Sequence, residues 1–136
     1  MSVEMDRTKA NGGRSPKVLL ADDEPSVQRV LARRLEAQGY RVLTAADGEE
    51  ALKKAHEEHP DVILLDIMLP KKSGNVVAAE LREQDDTAQI PVIFITCLVN
   101  NEEARVMHYQ SGGNRIMAKP IDSRDLMQLI DEATAV

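Results

Sequence analysis

Five side chains in this sequence carry the types and placement that chemistry needs. Asp22 and Asp23 stand side by side directly after the apolar run Val18–Ala21, and Asp66 follows the run Val62–Leu65. Thr96 closes the run Val92–Ile95, and Lys119 follows Arg115–Ala118. If the runs are parallel strands, all five residues fall on one edge of a sheet, where open α/β sheets build their ligand sites. Three converging carboxylates repel one another unless a cation neutralises them. Hard oxygen donors of this kind suit Mg²⁺, which commonly takes one or two carboxylates and keeps several waters. Thr96 offers a small hydroxyl donor, and Lys119 a compact positive charge for phosphoryl oxygens. Taken together, they describe a site for a metal ion and a phosphoryl group. Each residue also has a plainer use: Asp caps helices that follow strands, Thr ends strands, and Lys solvates a surface.

The elements that must position these residues are visible in the hydrophobic pattern. The first four runs (with Val42–Ala45) are short and rich in Val, Ile and Leu, as expected of strands buried on both faces of a parallel sheet. Helical spacing fills the gaps. Val27, Val30, Leu31 and Leu35 share one face, and Leu126, Leu129, Ile130 and Ala133 follow i, i+3, i+4, i+7. Gly39 stands at the expected end of the first helix, and Pro60 precedes the third strand. Five strand–helix alternations imply right-handed βαβ crossovers. The chain has 136 residues, 43% hydrophobic and 29% charged, which fits one globular domain and excludes disorder as its dominant state. A net charge of −6 without a dense basic stretch argues against gripping nucleic acid directly. Cys97 is the single cysteine, which excludes an internal disulfide or CxxC motif and suits a reducing cytoplasm. No apolar run approaches a membrane span. Residues 1–15 lack a hydrophobic period and read as a flexible tail, with the domain over 16–136.

Four blocks, KVLLADDEP (17–25), DVILLDIMLPKKSGN (61–75), IPVIFIT (90–96) and AKP (118–120), make the chain resemble the receiver domain of two-component response regulators. The resemblance runs from residue 17 to about 134. It implies a doubly wound, five-stranded parallel sheet of flavodoxin-like order 2-1-3-4-5, flanked by five helices. It also implies a non-enzymatic signalling module, and the few residues left after the fifth helix give the expectation of a stand-alone receiver without a covalent output domain. Asp66 would accept a phosphoryl group from a phosphohistidine on a sensor histidine kinase or a histidine phosphotransfer protein. Mg²⁺ would be held by Asp23, Asp66 and the main-chain carbonyl of Met68, with Asp22 acting through a water. Lys119 would pair with the transferred group and Thr96 would swing to it. Pro70 and Gly74 would turn the chain from the site into the third helix. The first helix, through Gln28, Arg29 and Arg33, would dock the phosphodonor. The face made by the fourth helix, fifth strand and fifth helix would meet a downstream effector protein. The sequence leaves the oligomeric state open.

Some positions depart from the family pattern. Ile116 stands where many receivers carry an aromatic switch residue, Cys97 where a small Ala or Gly is common, and Gly112–Arg115 where the sequence is usually more acidic. Smaller repacking around Ile116 and a longer-lived phosphoryl group behind Cys97 are the expected consequences. Three alternatives remain in view. A Mg²⁺-dependent aspartyl-phosphate phosphatase would want an acid two residues after its nucleophile, where this chain has Met68. A nucleotide-binding domain would want GxGxxG or GxxxxGK[ST], and neither occurs. A constitutive scaffold receiver would not need the full acidic set with Thr96 and Lys119. Cys97 reads as a buried thiol before a redox sensor. His56, His59 and His108 lack metal-ligand spacing, the first two being i, i+3 on a helix end without a third partner.

Overall fold

The computed structural model describes residues 15–96, 115–119 and 121–134. Among them, five strands alternate with four helices: β1 (Lys17–Ala21), α1 (Pro25–Ala37), β2 (Arg41–Ala45), α2 (Gly48–Glu58), β3 (Val62–Asp66), α3 (Gly74–Glu83), β4 (Val92–Thr96), β5 (Arg115–Ala118) and α4 (Ser123–Thr134). The strands form one parallel sheet in the order β2-β1-β3-β4-β5. The expected fourth helix lies outside the described residues, as do Cys97, His108, Gly112–Asn114 and most of the 1–15 tail. None of the described helices is long and apolar enough to cross a membrane.

Strand residues alternate between two cores because successive side chains leave a sheet on opposite faces. Leu19, Ala21, Ile63, Leu65 and Phe94 pack under α2 and α3, with Ala51, Ala55, Val77 and Leu81. Val18, Leu20, Val62, Leu64, Ile93 and Ile95 pack under α1 and α4, with Leu31, Leu35, Leu126 and Ile130. Phe94 is almost fully enclosed, and burying a ring of that size stabilises the fold by roughly 2–3 kcal/mol. The central strands β3 and β4 are buried along their whole length. The expectation of burial on both faces fails for β2, whose Val42, Leu43 and Thr44 are only half-buried. As an edge strand it pairs with β1 alone. Val30 also departs from the inward stripe expected of the first helix. It is 48% exposed, while Leu31 and Leu35 carry the contact.

Local chemistry sets the helix ends. Asp47 caps α2 by accepting the Glu50 amide at 2.8 Å, and the Glu50 side chain accepts the amide of Ala46, just before the cap, at 2.8 Å. Gly39 supplies the left-handed backbone (φ +95) that carries the chain from α1 to β2. At the end of α2 the same role falls to His59, with φ 46.

Candidate functional site

Parallel register brings the chemically distinctive residues together. Ala21 pairs with both Ala45 and Leu65, Asp66 with Ile95, and Thr96 with Ala118. The residues at or just past those positions therefore share the carboxyl edge of the sheet. Asp22 is fully buried, Asp66 and Thr96 nearly so, and Asp23 faces solvent. Oxygens of Asp22, Asp23 and Asp66 lie within 4.8 Å of one another. Lys119 Nζ sits among them, 2.7 Å from Asp22 Oδ2 and 3.0 Å from Asp66 Oδ2. It is also 3.3 Å from Glu24 Oε1.

The backbone holds these carboxylates in place. The Met68 amide donates to Asp66 Oδ1 at 2.9 Å, and the Glu24 amide to Asp22 Oδ1 at 2.9 Å. Gln28 donates to the Asp22 carbonyl at 2.6 Å and to the Ala45 carbonyl at 2.9 Å. This ties α1 to the ends of β1 and β2. Gly74 closes the turn after β3: its amide donates to the Ile67 carbonyl at 2.9 Å. A Cβ at Gly74 would stand 2.5 Å from the Asp66 carbonyl oxygen, so any other residue would push the turn away from the site.

The electrostatics are unbalanced. Burial pushes the Asp22 carboxyl above its ordinary pKa, against the opposing pull of Lys119 and the Glu24 amide. Burial also works against the Lys119 ammonium, yet Asp22 and Asp66 outweigh it and hold its pKa above the usual lysine value. Among the described residues, Lys119 Nζ at 2.7 Å is the one cationic partner of Asp22 Oδ2, and Asp66 shares it. Buried carboxylates that share one ammonium are incompletely compensated in a low-dielectric setting. One lysine among several carboxylates leaves a negative surplus of hard oxygen donors, and that donor set fits a small divalent cation such as Mg²⁺.

Residues 18–131 match the family model of the response regulator receiver domain. The chain belongs to this family. Receivers of two-component systems are regulatory domains that accept phosphoryl groups. Among relatives, the alkaline phosphatase synthesis transcriptional regulatory protein PhoP of Bacillus subtilis is 43% identical over 110 residues, 81% of this chain and 45% of that protein. The chain thus spans under half the length of the curated relatives it matches. Among solved structures, the receiver domain of sensor histidine kinase PA1611 from Pseudomonas aeruginosa PAO1 aligns with a TM-score of 0.81 and 30% identity. The alignment covers 90% of this chain and 99% of that one, and the PA1611 structure holds a magnesium ion in its active site cleft. The chemotaxis protein CheY4 of Vibrio cholerae aligns with a TM-score of 0.78 and 29% identity over 88% of this chain and 98% of its own.

The receiver fold gathers Asp22, Asp23, Asp66, Thr96 and Lys119 where the strand ends were expected to put them. Met68 lies on the turn directly after Asp66 with its side chain 60% exposed. Ile116 is half-buried against the α2/α3 core, in register with Phe94. Gln28 corrects an expectation: it is bonded into the strand ends rather than presented to a partner, whereas Arg29 and Arg33 are exposed. His56 Nδ1 and His59 Nε2 lie 3.0 and 3.4 Å from the same oxygen of Asp86, an ion-pair partner and not a metal-ligand set. Sequence reasoning assigned no role to Glu24. Its only signal was that the acidic run continues one residue past Asp23. An open groove of about 310 Å³ leads from Lys119 along α1, lined by Ser26, Val27, Val30, Leu31, Arg34 and Ile121.

Proposed function

We propose that this receiver takes a phosphoryl group onto Asp66 from a phosphohistidine donor, with Mg²⁺ bound, and so controls a partner-binding surface. The observation that carries the proposal is the contact of Asp66 with Lys119 inside the Asp22–Asp23 acidic cluster. Asp23, Asp66 and the Met68 carbonyl would hold the ion, and Asp22 would act through a water. Bound there, Mg²⁺ would screen carboxylate–phosphate repulsion and stabilise charge in the transition state. The Met68 amide fixes the Asp66 carboxylate by holding Oδ1. The other oxygen, Oδ2, attacks phosphorus. The P–N bond to the donor breaks as the P–O bond forms, the imidazole nitrogen keeps the electron pair, and an acyl phosphate results. Lys119 then follows the charge onto the phosphoryl oxygens, and Thr96 donates its hydroxyl to them. Hydrolysis ends the signal.

The groove beside Lys119, with exposed Val30, Arg29 and Arg33 on α1, suits the docking of a histidine donor. An effector protein would read the adjoining face around β5 and α4. The relatives named as transcriptional regulators give no support to the expectation that nucleic acid plays no direct part. The domain is proposed to span 16–136.

The test is incubation with acetyl phosphate and Mg²⁺ followed by intact mass. One added phosphoryl group is expected, absent in Asp66→Asn and in excess chelator. Labelling at the wild-type rate in either condition overturns the assignment.

A further inference from the structure

Glu24 occupies the N-cap of α1, but its side chain makes no cap hydrogen bond. Glutamate is a poor choice there, since Ser, Thr, Asp and Asn are the residues whose short side chains reach the first-turn amides. Glu24 instead points its carboxylate at Lys119, with Oε1 at 3.3 Å from Nζ. The two residues are 95 positions apart in sequence, so the contact is made by the fold. Lys119 thereby meets Asp22 and Asp66 on its buried side and Glu24 on its solvent side, where Glu24 is 58% exposed. The same ammonium is the one that a phosphoryl group on Asp66 needs.

We propose that Glu24 is a positioning residue that tethers Lys119 at the mouth of the site, and that an incoming phosphoryl donor must displace it. The proposal rests on the phosphoryl-acceptor reading of Asp66. It adds a competitor to that reading: the donor's anionic oxygens and the Glu24 carboxylate contend for one cation. Because Glu24 acts on the free site and is released once the phosphoryl group holds Lys119, its influence falls on donor binding rather than on the bond-making step. Exposure limits the size of the effect. A pair open to water contributes little and is weakened by salt.

The experiment measures phosphorylation rate against acetyl phosphate concentration in Mg²⁺ for the wild-type chain, Glu24→Gln and Glu24→Asp. Aspartate keeps the charge but is one methylene too short for the tether, so it separates tethering from bulk charge. Both variants are expected to lower the half-saturating donor concentration by roughly two- to fivefold with the maximal rate unchanged. Both should also shift the Lys119 ammonium resonance in the donor-free protein. If Glu24→Asp behaves as wild type while Glu24→Gln does not, charge alone acts and the tether is overturned. It is overturned equally if neither variant changes the half-saturating concentration. Failure of the wild type to label would sink the phosphoryl-acceptor reading instead, and the Lys119 resonance in the two variants would still decide the tether.

Discussion

Two clusters of titratable side chains lie at opposite edges of the sheet, and they are built differently. At the carboxyl edge, Lys119 is 12% exposed, Asp22 is fully buried, and Asp22 and Asp66 share that one ammonium. At the other edge, His56, His59 and Asp86 join the end of α2 to the segment after α3, and all three side chains are between a third and just over half exposed. There the groups sit in water, just where the left-handed His59 ends the helix. The difference teaches how to tell a working cluster from a structural one. Enclosing like charges that are incompletely compensated costs stability, and a fold retains that cost where it has a use. An exposed cluster of titratable groups costs and contributes little.

The comparison can be broken in several ways, beginning with the backbone that enforces it. Gly74→Ala sets a methyl against the Asp66 carbonyl, and should cost about 2–3 kcal/mol in denaturant unfolding and slow labelling of Asp66. A normal rate at undiminished stability would show that the turn yields freely. Mg²⁺ at a hundredfold over its dissociation constant should stabilise the wild-type chain by about 2.7 kcal/mol. Asp23→Asn should remove most of that gain and Asp86→Ala none of it, as read by thermal melts with and without the ion.

Asp22→Asn should raise metal-free stability by about 1 kcal/mol at neutral pH, because it removes a buried charge while keeping an acceptor for the Glu24 amide. The sign follows from linkage. Burial raises the folded-state pKa of Asp22 above 3.8. The favourable, protonated form is therefore available below that value and is lost as pH rises through the folded pKa. The advantage of Asn is accordingly absent in acid and complete at neutral pH, which unfolding curves at both pH values would read. The smallest effect belongs to Asp86→Ala. The bond from His56 first, with smaller help from His59, lowers the Asp86 pKa. Its contribution is present above 3.8 and lost as pH falls through the lowered value. Wild type and variant should differ slightly at neutral pH and converge in strong acid.

Strand identity was legible in the apolar runs because a strand covered on both faces has no polar face to show. Val62–Leu65 and Val92–Ile95 read as buried and are buried. Val42–Ala45 also reads as a short apolar run, with Thr44 its one polar residue, yet lies at the edge. Which strand has two neighbours is a property of topology, and composition does not encode it. Asp22, Asp23, Asp66, Thr96 and Lys119 were legible for a related reason: parallel strands align their carboxyl ends, so a residue just past each run is carried to a common edge whatever its separation along the chain.

By itself, then, the sequence determined the alternation of elements and the set of side chains delivered to that edge. Those follow from short-range periodicity and from the polarity of parallel strands. Only the tertiary structure decided that Gln28 is bonded inward, that Val30 faces solvent, that Asp86 stands between two histidines and that Glu24 holds Lys119. Each of these depends on the distance and angle between elements far apart in the chain. A difference of one helical position, about 100° of rotation, is enough to turn a side chain from solvent to partner.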